Sequence, residues 1–171
     1  MNRYMPTTLV LAVYLLDRLT KFWVQRMMTY GESIPVLPFF HITYVQNTGA
    51  AFGIGQNRNG FLIAASVVIL IVLFVYARRM GGESMRLKAS IALVIGGALG
   101  NLYDRIVYGS VVDFLDFFAG VHHWPAFNVA DSSICIGAAF LFFSQWSVKP
   151  GSSPPLMGGD KGEGGKAVVA P

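Results

Sequence analysis

Charge is what this chain has least of. Asp, Glu, Lys and Arg together make up 13% of its 171 residues, about half the share of roughly 25% usual in a soluble domain. Cysteine is nearly missing: Cys135 stands alone, which excludes an intrachain disulfide framework. Its place in an apolar run suits a small, buried apolar residue. No HExxH motif occurs, so the helical zinc-protease arrangement is excluded. Lys and Arg outnumber Asp and Glu, 13 to 9, but they are scattered and form no basic stripe of the kind that binds nucleic acid.

Apolar residues fill the space, at 54% of the chain. At 1.5 Å per residue, about 20 of them cross a hydrocarbon core roughly 30 Å thick. Residues 61–77, "FLIAASVVILIVLFVYA", carry no charge, and 129–148 carry only Asp131. The run 4–23 holds Asp17, Arg18 and Lys21 in its later half, and 89–103 ends on Asp104 and Arg105. These runs predict four transmembrane helices, over about 4–25, 60–77, 88–105 and 129–148, in one membrane domain spanning 1–148. No small-residue cleavage pattern follows the first run, so it is expected to be a retained span rather than a signal peptide.

The loop 77–88 sets Arg78, Arg79, Arg86 and Lys88 against Glu83 alone. Short loops rich in Lys and Arg stay in the cytoplasm, which puts both termini inside and the loops 26–59 and 106–128 outside. Within the first outer loop, "FFHITYV" (39–45) is rich in β-formers and predicts a small strand or hairpin on the membrane surface. The second, with "VVDFLDFFAGVHHW" (111–124), predicts an aromatic surface helix or loop in the headgroup region. The fold class expected is therefore an all-α integral membrane protein with a small extracytoplasmic β-element. From 149 to 171 the chain is rich in Gly, Pro and Ser and predicts a disordered cytoplasmic tail.

With that topology five aspartates, 17, 104, 113, 116 and 131, project to one outer membrane level. Ionisable groups inside a span cost about 2.5–3.5 kcal/mol each on insertion scales, so their gathering needs a cause. Some have plain structural readings. Asp17 and Lys21, at i and i+4, form a neutralising pair, and Asp104 has Arg105 beside it. Asn128 to Asp131 has the spacing of a helix N-cap with an acid at N3. Gly96 and Gly100 form a small-xxx-small packing pattern, and His122 and His123 suit interfacial loop residues. Asp113 and Asp131, however, have no cation within five residues. Two unpaired carboxylates at a half-dry interface raise one pKa, leaving one acid and one base near neutrality. That is the equipment of an aspartyl protease. Spacing alone does not choose Asp113 over Asp116, which could share the wet face of a surface helix. Ser132 and Ser133 lack a histidine partner in the sequence pattern, which argues against serine chemistry. Rival readings are a proton-coupled transporter, which needs polar residues through the inner halves of the helices, and a membrane scaffold, which needs neither aspartate.

"DRLTK" (17–21), "NTGAAFG" (47–53), "GGALGNLYDR" (96–105), "GSVVDF" (109–114) and "FNVADSSI" (127–134) occur in order, and the set resembles the bacterial lipoprotein signal peptidases, signal peptidase II. The resemblance covers roughly residues 10–145. It implies an aspartyl endopeptidase of the bacterial inner membrane that removes the signal peptide of diacylglyceryl-modified prolipoproteins, just before the lipidated cysteine. It assigns Asp113 and Asp131 as the catalytic pair. Asn47, Gly53, Asn101, Asp104, Arg105 and Asn128 fall at positions that bind substrate or stabilise the site, with Asp17 and Lys21 as structural support. It further implies a periplasmic β-cradle, contact with membrane lipid, globomycin-type peptide inhibitors, and neither cofactor nor metal. A monomer suffices for all of this.

Overall fold

The computed structural model describes residues 4–50, 55–80, 82 and 84–146; Gly53 and the expected tail 149–171 lie outside the described residues. Among the described residues, four helices and four short strands follow in this order: α1 Met5–Met27, β1 Ser33–Leu37, β2 Phe40–Asn47, α2 Asn59–Arg79, α3 Met85–Tyr108, β3 Val111–Ala119, β4 His122–His123 and α4 Val129–Trp146. The helices match the four expected runs to within about three residues at each end.

Their packing is inside out relative to a soluble bundle. In α1 the buried residues are Asp17, Lys21 and Val24, while Leu11, Leu15, Leu19, Phe22 and Trp23 are exposed. No residue of α2 is buried, although its mean hydropathy is 2.8. A helix apolar all round and covered on so little of its surface suits lipid around it. By length and composition α2 and α3 qualify as membrane spans; α1 is interrupted by its charges, and the apolar part of α4 is shorter, Val129–Phe143.

α3 is the hub, packing against each of the other three helices. Ser84 caps its start, its Oγ accepting from the Leu87 N–H at 3.3 Å, and Gly109 ends it in the left-handed conformation at φ 76°, which costs glycine least. Along its buried face a Cβ at Gly97 would collide with the Ala130 carbonyl of α4, and one at Gly100 with the Asp17 carboxylate of α1. Missing side chains at these points let the three backbones close in.

The strands form one antiparallel sheet in the order β1-β2-β3-β4. The expected strand 39–45 is β2, paired with β1 on one side and with β3 on the other, Val45 opposite Asp113 and Asn47 opposite Val111. Two expectations are corrected here. The fold is not all-α, and the segment 111–119, expected as a surface helix or loop, is the strand β3. Its repeated Val and Phe favour a pleated, half-buried surface, and Tyr44, Val112 and Phe114 pack on Val24 of α1 and on Met28 just after it. Cys135 is exposed on α4 rather than buried; on a helix with apolar residues facing outward, its position in the run does not predict its side.

Candidate active site

Lys21 is fully buried. Its ammonium group has three protons to place, and three acceptors meet it: Asp17 Oδ2 at 2.8 Å, Asp104 Oδ2 at 2.9 Å and Asn101 Oδ1 at 2.9 Å. Arg18 pairs with the other oxygen of Asp104 and lies over the Tyr103 ring at 4.2 Å. Two acids and two bases thus form a neutral buried cluster between α1 and α3. Each carboxylate also grips a backbone elsewhere. Asp17 Oδ1 accepts from the Ala130 N–H at 3.0 Å, serving one of the orphan donors at the start of α4. Asp104 Oδ2 accepts from the Val112 N–H at 3.2 Å. The cluster therefore pins α4 and β3, the two elements that carry Asp131 and Asp113.

Those two carboxylates are tied together by asparagines. Asn128 Nδ2 donates to Asp113 Oδ1 at 2.6 Å, while its Oδ1 caps α4 by accepting from the Asp131 N–H at 2.9 Å. Asn101 Nδ2 donates to Asp131 Oδ1 at 2.7 Å. Because Lys21 can only donate, it fixes which end of the Asn101 amide faces Asp131. Asn47, at the end of β2, donates from Nδ2 to Asp113 Oδ2 at 3.1 Å. Asp113 is 2% exposed and Asp131 is half-buried. Burial, and then the negative charge of Asp131, push the Asp113 carboxyl up to about 7, against the downward pull of Asn47 and Asn128. Burial of Asp113 and the charge of its partner thus both favour the protonated form of Asp113.

Asp116 goes elsewhere. It binds His123 Nδ1 at 2.8 Å and accepts from Thr43 Oγ1 at 3.1 Å, away from Asn128 and Asn101. In a strand, residues three apart face opposite sides, so β3 separates two acids that a helix would have placed together. Arg105 is not the partner of Asp104. Its guanidinium donates to the Gly49 carbonyl at 3.0 Å and the Asn101 carbonyl at 3.4 Å, joining the loop after β2 to the site. Asp104 takes Arg18 instead, a residue whose spacing in the sequence discloses no role. Its signal was the rarity of charge: a second cation in an apolar run that holds one acid needs a second acid nearby. The Ser132 and Ser133 hydroxyls are spent on the Asn128 and Ala130 carbonyls. Among the described residues no three His, Cys, Asp or Glu side chains gather as a metal-holding group.

Fold and site together define a membrane enzyme built of helices and a small antiparallel sheet. Two solved structures, each described as a bacterial membrane enzyme, share the fold. One superposes with a TM-score of 0.80 at 31% identity, covering 89% of this chain and 96% of that one. The other has a TM-score of 0.77 at 32% identity, covering 86% and 96%. The family model described as signal peptidase (SPase) II matches residues 9–147, and the chain belongs to that family of proteases. It is 42% identical over 158 residues to the lipoprotein signal peptidase of Alteromonas mediterranea, covering 90% of this chain and 86% of the relative. With that of Yersinia pestis (strain Pestoides F) it shares 45% identity over 139 residues, 79% and 82% of the two chains.

Proposed function

We propose that this chain is an intramembrane aspartyl endopeptidase. Its substrate is a prolipoprotein already carrying a diacylglyceryl group on its cysteine, and it cuts just before that cysteine at the outer face of the bacterial inner membrane. The observation that carries the reading is the Asn128 bridge, one amide holding Asp113 through Nδ2 and the Asp131 backbone through Oδ1, within a family described as signal peptidase II.

Chemistry follows from the different settings of the two acids. Asp131, half-buried and ionised, takes a proton from a water as the water oxygen bonds to the scissile carbonyl carbon. Asp113, protonated near neutrality, gives its proton to the carbonyl oxygen. The resulting gem-diol collapses when Asp131 passes its new proton to the departing amide nitrogen. Asp113 recovers a proton from one hydroxyl, the C–N bond breaks, and the pair returns to its starting state. No covalent intermediate is needed. Asn101, Asn128 and Asn47 hold the carboxylates in place, and Arg105 anchors the Gly49 loop beside them. Gly53, in the same loop, is proposed to line the site as the resemblance implies.

All four helices are proposed as spans, with both termini cytoplasmic and the sheet lying as a cradle on the outer surface. Exposed Phe39, Phe117, Val121 and Trp124 suit the headgroup zone. A signal peptide is itself an apolar helix, and the exposed faces of α2 and α4 offer it remote binding energy that can be used at the bond being cut. Membrane lipid would lie against the same surface, and globomycin-type inhibitors would occupy the active site itself. The transporter alternative lacks support: towards the α2–α3 turn, the buried polar side chain among the described residues is Ser90, and its hydroxyl returns to the Arg86 carbonyl.

A test uses the purified chain in detergent with one prolipoprotein prepared with and without its diacylglyceryl group. The expected product, by mass spectrometry, begins at the lipidated cysteine, and the unmodified precursor stays whole. Failure to cut the lipidated form, where a known signal peptidase II cuts it, sinks the proposal.

A further inference from the structure

The end of the bundle opposite the aspartates carries a feature that proteolysis does not use. There α1, α2 and α3 border a cavity of about 720 Å³. Its walls include Val10, Phe74, Ile91 and Leu99, and Arg78 and Lys88 stand among its lining residues. None of the described residues lining it is acidic. Arg78 is exposed and its guanidinium lies 5.6 Å over the Phe74 ring; Lys88 is half-buried in the wall.

Charge and length are matched to one kind of molecule. Both cations sit at the α2–α3 turn, and from Lys88 the apolar wall runs along α3 to Leu99. That is about 16 Å at 1.5 Å per residue, close to half of a hydrocarbon core roughly 30 Å thick. The groove is therefore one leaflet deep, basic at the headgroup end and apolar below it. We propose that it binds an anionic phospholipid of the leaflet on the α2–α3 turn side. Its phosphate lies between Arg78 and Lys88, and one acyl chain lies against α1 and α3. Guanidinium offers paired donors to phosphate oxygens and ammonium a compact charge. A zwitterionic lipid brings the same chain but no net negative charge, so the groove discriminates by headgroup. Arg79 and Arg86 sit on the same turn but do not line the cavity, which separates a built site from general attraction to a basic loop.

The full chain is reconstituted in nanodiscs of equimolar phosphatidylglycerol and phosphatidylcholine, and the lipids retained on release are weighed by native mass spectrometry. One phosphatidylglycerol per chain is expected. R78A/K88A should weaken its retention about tenfold or more, the order set by two basic groups at an anionic surface, whereas R79A/R86A should leave it within about twofold. A77F narrows the groove with both cations intact and should also release the lipid. Helical circular dichroism checks that each variant folds; if R78A/K88A does not, A77F decides alone. Equal retention of the two lipids, equal effects of the two double variants, or full retention by A77F would each overturn the proposal. Because retention is read without substrate, its failure is distinct from failure of the peptidase reading.

Discussion

Asn128 touches both carboxylates' surroundings, donating to Asp113 at 2.6 Å and accepting from the Asp131 N–H at 2.9 Å. Replacing it by Ala removes one donor and one cap together, so kcat is expected to fall about 10²-fold or more while KM changes little. Steady-state kinetics on lipidated precursor decide this; a change confined to KM would place Asn128 in substrate binding instead. The Asp113 proton gives a second prediction. Its carboxyl rises to about 7 from an ordinary value of about 3.9, so kcat/KM should decline as pH rises through about 7 and the acid is lost. Stability carries the same sign. Between about 4 and about 7 the folded chain holds a proton that the unfolded chain has released, so stability falls as pH rises across that window. Asp113→Asn should flatten the fall, read as thermal unfolding against pH. At this scale the sequence alone was ambiguous between Asp113 and Asp116, because three residues apart means one face in a helix and opposite faces in a strand. Resemblance chose Asp113, and β3 shows the physical difference: Asp116 is occupied by His123 and Thr43. Asp116→Asn is accordingly expected to keep activity within a few-fold.

Among the elements, the helices were legible because each rests on a long apolar run that hydropathy reads directly; α2 and α3 reach the roughly 20 apolar residues that a bilayer crossing demands. β3 was not legible. "VVDFLDFF" satisfies alternation and helical spacing about equally, and only its pairing with β2 and its packing on Val24 and Met28 decide between them. β2 was visible because Pro35, Pro38 and the following glycines bound it on both sides. The close approach of α1 and α3 depends on Gly100, where any Cβ meets the Asp17 carboxylate. Gly100→Val is expected to destabilise the fold by about 1–3 kcal/mol, the usual cost of overpacking. It should also shift Asp17 away from the Ala130 N–H and so loosen the start of α4. Thermal unfolding in detergent measures the first effect. An unchanged midpoint would mean that α1 and α3 do not depend on this contact.

Across the whole molecule, one neutral cluster joins the membrane helices to the sheet. Asp17, Arg18, Lys21 and Asp104 balance in charge, and through Ala130 and Val112 they hold α4 and β3. Lys21→Met leaves two buried acids short of a partner and is expected to cost about 3–5 kcal/mol. A smaller loss in Lys21→Met/Asp17→Asn than in the single variant would show that the stranded charge, not lost packing, is the cause. The sequence suggested Asp17 with Lys21 as a local pair, but the third and fourth members come from spatial contact between distant segments, which spacing cannot disclose. The central claim is that Asp113 and Asp131 together cut the peptide bond. The most direct measurement compares Asp113→Asn, Asp131→Asn and Asp116→Asn with the parent chain on lipidated prolipoprotein, after unfolding curves show that all four are folded. Loss of cleavage by about 10²–10⁴-fold in the first two, with Asp116→Asn near the parent, is the predicted result. Cleavage retained by either Asp113→Asn or Asp131→Asn would contradict it.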